Sequence, residues 1–242
     1  MARIGLLAVA LGVTAFFVGL GMWQLDRAEQ KRAAAAEFEM RFSAPSVDLN
    51  KRIFDDGSEL SGYRVSAAGT YDGSTILLDN QVRNGRVGYL VYSALALNER
   101  NEGVLVNRGW LSVGSDRRIP PEVVTPLGSQ RLEGQLSLPP QGGIRLEGSE
   151  VIEPFGQGTW RVQAIDFSAL SAVVGAELLT VTVVLLEDDG GTSPGSAHGA
   201  PSRESRHLGY AFQWFALALT VVIVAVVLTL RAGKLHNGNH ES

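Results

Sequence analysis

The sequence predicts an α+β membrane protein: two transmembrane helices flanking an extramembrane antiparallel β domain, barrel- or sandwich-like, with one short helix. Three observations predict it. Ile4 to Leu25 and Leu208 to Leu230 carry no charged residue, and each is long enough to cross a bilayer, which takes about 20 helical residues at ~1.5 Å rise. Between them, short β-like runs alternate with Gly, Pro and Asn turn signals, as in antiparallel barrels and sandwiches. The section between the spans also has ordinary single-domain length, enough to bury its own core.

The first span, residues 4–25, is longer than the ~7–15-residue apolar core of a signal peptide. It ends in Trp23-Gln24-Leu25-Asp26-Arg27, an interfacial sequence and not a small-residue cleavage site, so it reads as an anchor. Gly5, Ala8, Gly12, Ala15 and Gly19 recur at three- and four-residue steps along it. Such a face lets two helix backbones approach closely in lipid. Residues 26–62 follow as a polar helical extension to Phe42, rich in Ala, Glu, Arg and Lys, and then a loop broken by Pro45 and Asp55-Asp56-Gly57.

The β domain is expected over residues 63–186. Its strands read as Tyr63 to Tyr71, Thr75 to Val82, Val87 to Leu97, Gly103 to Val113, Arg131 to Leu138, Trp160 to Ile165 and Leu178 to Leu186. Asn84-Gly85 marks a hairpin, because both residues tolerate positive φ. Phe167 to Ala176 reads as the short helix, with Asp166 placed to cap its start and Gly175 near its end. Gly109 inside a strand pattern suggests a bulge. Residues 187–206, rich in Gly, Ser and acid, have too little apolar surface to pack and read as a flexible tether. The second span covers 207–230, and 231–242 form a polar tail.

Composition narrows the chemistry. With no cysteine there is no disulfide, thiolate metal site or Cys nucleophile. A net charge of -4 with no basic stripe argues against nucleic acid. The four histidines are His198 in the tether, His207, and His236 and His240 in the tail. The β domain holds none, so it has no Ser-His-Asp triad of its own. Walker A and dinucleotide fingerprints are missing as well.

His207 lies where the second span meets water. On a helix it shares one arc with Tyr210, Ala211, Trp214, Ala218, Val221 and Ala225. The alanines are expected to pack on the Gly/Ala face of the first span, bringing Trp23, Gln24 and Arg27 near His207, Tyr210 and Trp214. That set joins one imidazole, flat aromatic walls and a cation able to pair with carboxylates, as a haem requires. The same residues also suit plain anchoring, since aromatics and His are ordinary at membrane interfaces. Both readings stand at this point. In the domain, Asn107, Arg108 and Trp110 form a second candidate, either a partner-binding segment or an internal brace.

Gly21-Met22-Trp23-Gln24-Leu25-Asp26-Arg27 resembles the G-x-W-Q-x-x-R signature of the Surfeit locus protein 1 family. Leu78-Asp79-Asn80, Gly88-Tyr89, Leu105 to Trp110 and His207-Leu208-x-Tyr210-Ala211-x-x-Trp214-Phe215 resemble further family blocks in the same order. The resemblance covers nearly the whole chain. It implies a non-enzymatic assembly factor for cytochrome c oxidase that binds haem a and assists its insertion into subunit I, with haem a synthase as a further partner. It also implies residence in the bacterial cytoplasmic (inner) membrane, with the β domain periplasmic and both termini on the other side. In that reading His207 ligates the haem iron, Tyr210, Trp214 and Trp23 wall the site, and Arg27, with Arg206, pairs with propionates. Asn107, Arg108 and Trp110 would contact the oxidase subunit or brace the domain. Two rival classes are a haem-independent scaffold for an oxidase intermediate and a membrane-tethered envelope hydrolase.

Overall fold

In the computed structural model the first helix, α1 (Ala2–Ser43), runs unbroken from the apolar span through the polar extension. The extension stays helical without an apolar face because its charges pair along the axis. Gln30 Nε2 donates to Asp26 Oδ2 at 2.8 Å, Arg27 Nη1 donates to Gln30 Oε1 at 2.9 Å, and Arg32 pairs with Glu29 at 3.2 Å. The structure describes residues 2–51, 60–114, 116–126, 128–140, 152–186 and 205–237. Apart from its last two residues, the expected tether at 187–206 lies outside these, as does the core of the loop, 52–59. The last helix, α3 (Ser205–Asn237), continues past Leu230 into the expected tail.

The chain divides into two units, Met1–Glu37 with Pro201–Ser242, and Phe38–Ala200. The first holds α3 and most of α1. Both helices are long and apolar enough to cross a membrane, and most of their large apolar side chains, such as Ile4, Leu11, Phe16, Phe212, Leu219 and Leu230, are exposed. A water-soluble protein would bury such surface; a membrane protein presents it to lipid. Thr220 and Thr229 donate their hydroxyls to the carbonyls of Ala216 and Ala225, one turn back, so neither leaves a polar atom unpaired in hydrocarbon.

Among the described residues the second unit is built on nine strands: β1 (Val47–Asp48), β2 (Arg64–Tyr71), β3 (Thr75–Arg83), β4 (Arg86–Leu97), β5 (Glu102–Ser112), β6 (Ser129–Ser137), β7 (Glu153–Gly156), β8 (Thr159–Val162) and β9 (Glu177–Leu185). The seven expected strands form, and β1 and β7 are additional. The short helix α2 (Phe167–Val174) starts where Asp166 accepts the Ala169 amide at 3.1 Å and ends at Gly175.

The sheet order is β1-β2-β6-β9-β5-β4-β3-β8-β7, with a further β2–β4 pairing. The sheet is mixed where an antiparallel one was expected. β1–β2, β3–β8 and β5–β9 are parallel, and the other pairings are antiparallel. Parallel neighbours need a crossover connection instead of a hairpin. α2 lies in such a connection, and β9 enters between β5 and β6. β4 is 12 residues long. Its first half pairs with β3 and its last three residues with β2. The ladder β2–β6–β9–β5–β4 therefore returns to its own start.

Alternation along these strands separates three apolar clusters. Val65, Leu95, Val104, Val106, Leu136 and Val183 belong to one. Ile76, Leu90, Tyr92, Leu105 and Leu178 pack with Leu170 of α2 in another. Leu77, Tyr89, Val91 and Phe155 make a third. Tyr92 is fully buried, and its hydroxyl accepts from Asn107 Nδ2 at 3.4 Å. Burial pushes this phenol well above its ordinary range, because the phenolate would lie in low dielectric. With the folded pKa raised, the stability contribution is intact below the unfolded phenol pKa of about 10 and is lost as pH rises beyond it. In the detergent-solubilised chain, Tm should fall above about pH 10, and Tyr92→Phe should flatten that fall. An unchanged alkaline limb in the variant would exclude Tyr92 as its source.

Candidate functional site

Within the helical unit, α1 and α3 meet along one seam. On α1 it consists of Ala10, Thr14, Phe17, Gly21, Gln24 and Ala28, and the last three are buried. These positions alternate steps of four and three, which keeps one stripe on one face. On α3, Ala211, Ala218 and Ala225 are buried, at the seven-residue spacing read from the sequence. Partners run in opposite directions. The rings of Phe17 and Trp214 stack with centroids 5.6 Å apart, Gly21 meets Phe215, and Gln24 meets His207. The helices are therefore antiparallel, as two successive spans must be.

The expected Gly/Ala packing face of α1 is corrected here. A Cβ added at Gly5, Gly12 or Gly19 would have nothing within 4 Å. That face has the same three- and four-residue spacing as the seam but points away from it. The one glycine of α1 that admits a close approach is Gly21, where an added Cβ would lie 2.6 Å from the Phe215 ring.

Gln24 and His207 are joined by a hydrogen bond of 2.9 Å between Gln24 Oε1 and His207 Nδ1. Gln24 is buried, and His207 is half-buried. A carboxamide oxygen only accepts, so the ring donates through Nδ1–H and, in its neutral form, keeps a lone pair on Nε2. The imidazole thus faces the opposite helix instead of trailing into solvent. Among the described residues no hydrogen bond uses Nε2, and no cluster of three His, Asp or Glu side chains forms a competing metal site.

The expected walls fare unequally. Trp214 lies on the seam, but its ring is stacked on Phe17, an aromatic that sequence reasoning did not single out. Trp23 and Tyr210 are each 53% exposed and point away from the seam. Position 210 lies three residues from His207, which turns it about 60° off the seam, and position 23 is about 100° from Gln24. Arg27 is exposed and donates to Gln30, and Arg206 is exposed at the start of α3.

In the domain, Asn107, Arg108 and Trp110 are each tied to neighbouring segments, as the bracing alternative expects. β4 and β5 slip register between Val91/Tyr92, with Val91 opposite Gly109 and Tyr92 opposite Asn107, so Arg108 is the extra residue of a bulge. Gly109 adopts φ +123 there, as its place in the strand pattern suggested. Asn107 Oδ1 accepts the Gly109 amide at 3.0 Å. Arg108 is only 3% exposed: it donates to Val124 O at 2.6 Å and Thr125 Oγ1 at 3.3 Å, and its guanidinium stands 5.8 Å from the Tyr71 ring centroid. Trp110 donates Nε1–H to Gln81 O at 2.9 Å, and its ring crosses Gly88, where any Cβ would overlap the indole and Leu111 O. Asp79 is buried and accepts from Arg117 Nη2 at 2.8 Å and from the Asn80 amide at 2.7 Å. These segments hold one another in place.

The model of the SURF1 family matches residues 11–219. The chain belongs to the SURF1 family. Surfeit locus protein 1 of Homo sapiens is 29% identical over 236 residues, covering 85% of this chain and 71% of that protein. A SURF1-like protein of Rickettsia bellii is 25% identical over 222 residues, covering 85% of this chain and 83% of its own length. Cytochrome oxidase assembly protein SHY1 of Saccharomyces cerevisiae is 28% identical over 108 residues, 44% of this chain and 27% of that protein. The family match spans both sides of the Gln24–His207 pair.

Two variants test these contacts. Arg108→Met keeps the apolar stem but removes the charge-assisted hydrogen bonds to Val124 O and Thr125 Oγ1, and should cost about 1.5–3 kcal/mol of domain stability in urea unfolding. A loss under about 0.5 kcal/mol, the size of an ordinary surface substitution, would refute the brace. Gly21→Ile places a branched side chain against Phe215 and should separate the helices at that level. Disulfide trapping between cysteines placed at Phe17 and Trp214 should then slow markedly, and unchanged trapping would show that the seam tolerates the bulk.

Proposed function

We propose that this chain is a membrane-bound assembly factor for cytochrome oxidase that binds haem a at the polar end of its helix pair and assists its delivery to subunit I, with haem a synthase as the source. The observation that carries the reading is the hydrogen bond from His207 to Gln24. It turns a half-buried imidazole toward the neighbouring helix with Nε2 available. Family membership and the name of the yeast relative support the oxidase assignment.

The donor set fits a porphyrin iron in chemical type. It supplies one imidazole nitrogen, an apolar aromatic surface in Trp214 and Phe17, and cations in Arg27 and Arg206 on the polar sides of the two spans. Bound there, haem a would supply the redox-active iron that the oxidase later uses. The chain's own part is to present Nε2, exclude water with the Phe17–Trp214 stack, and offer guanidinium groups to the propionates. Tyr210 and Trp23 face outward, so their contact with a porphyrin would be from the lipid side. The β domain would then face the periplasm, with both termini across the inner membrane.

Absorption spectra of the protein purified from cells that make haem a test this. The wild type should carry a Soret band in near-stoichiometric amount, and His207→Ala should lose it. Undiminished haem with an unchanged spectrum in His207→Ala would refute the ligand assignment. A colourless wild type that still restores oxidase activity to cells lacking the protein would favour the haem-independent scaffold.

A further inference from the structure

We infer that Gln24 is a positioning residue for His207: its side-chain oxygen, reaching across from α1, holds the imidazole in the Nδ1–H tautomer and so selects Nε2 as the atom that meets the haem iron. The inference rests on the haem reading above and extends it to a residue with no ligand chemistry of its own.

The geometry argues for it in three steps. The oxygen of Gln24 lies 2.9 Å from Nδ1 and can only accept, so the proton must sit on that nitrogen. Gln24 is buried, and its neighbours one turn to either side, Gly21 and Ala28, are also buried and small. α3 therefore comes close at this level, and few other positions are open to the carboxamide. Finally, His207 is half-buried and Gln24 buried, so the imidazole N–H is partly shielded from water, and releasing Gln24 would give up a hydrogen bond that water replaces only in part. A ring anchored at one nitrogen presents the other in a single direction. Partners of this kind generally fix the tautomer and raise the basicity of a metal-binding imidazole, and losing them costs 10–100-fold in affinity.

The test uses the full-length chain in nanodiscs, with haem a as the probe. In the metal-free protein, ¹⁵N NMR of His207, identified by its disappearance in His207→Ala, should show a single Nδ1–H tautomer. Gln24→Leu should give mixed tautomers and bind haem a about 10–100-fold more weakly. Gln24→Glu, which keeps an acceptor at the same reach, should restore both. Circular dichroism of each variant reports whether the helices persist. If Gln24→Leu keeps wild-type tautomer and affinity while His207→Ala loses haem, Gln24 does not position the ring, and the haem reading survives. A helical Gln24→Glu that fails to restore either readout also overturns the proposal. If wild type binds no haem a at all, the reading beneath it falls instead.

Discussion

Gln24 and His207 meet side chain to side chain at the polar end of the helix pair, the carboxamide buried and the imidazole half-buried. Along the apolar stretch beyond them, attraction between helices is weak and indifferent to rotation. One polar pair therefore sets which faces of α1 and α3 meet. With it come the Phe17–Trp214 stack, the fit of Phe215 on Gly21 and the burial of Ala211, Ala218 and Ala225. The pair determines rotation and the small residues permit distance.

That division explains which parts of the helical site were legible in the sequence. The alanine line of α3 was, because only one arc of that helix joins His207 to small residues at seven-residue steps. α1 offered two stripes of identical spacing. The stripe of glycines has the smaller side chains, but the buried stripe contains a carboxamide. Burial of a polar group is a stronger constraint than absence of a side chain, since only the former has a direction. Tyr210 lies at the edge of the arc that holds His207, and Trp23 is next to Gln24 in sequence, but a helix turns about 100° per residue and carries both off the seam. Phe17 went unnoticed because one aromatic among many apolar residues in a span carries no signal of its own.

In the domain the local signals served well. Alternation located seven strands, and Asp166 and Gly175 bounded α2 as capping chemistry requires. β1 and β7 escaped notice because two and four residues are too few for alternation to show. The parallel pairings escaped because direction between distant strands is set by connections and not by local pattern. Arg108 shows the other limit. A charged side chain next to a strand glycine reads as exposed, yet the bulge at Gly109 turns it inward, where backbone and hydroxyl oxygens satisfy it. The segments around Asp79, Gly88 and Trp110 are likewise tied to one another, through Gln81, Asn80 and Arg117.

The position of β9 bears on how the protein is made. It is the last of the described strands, yet it sits between β5 and β6 and closes the circuit of pairings. Until residues 177–185 have been synthesised, β5 and β6 each present an unsatisfied edge, the kind of surface that invites pairing with other chains. The domain cannot mature vectorially as it emerges. It must wait, half-assembled, until synthesis has nearly reached the second span, and any factor that guards the open edges must act within that interval.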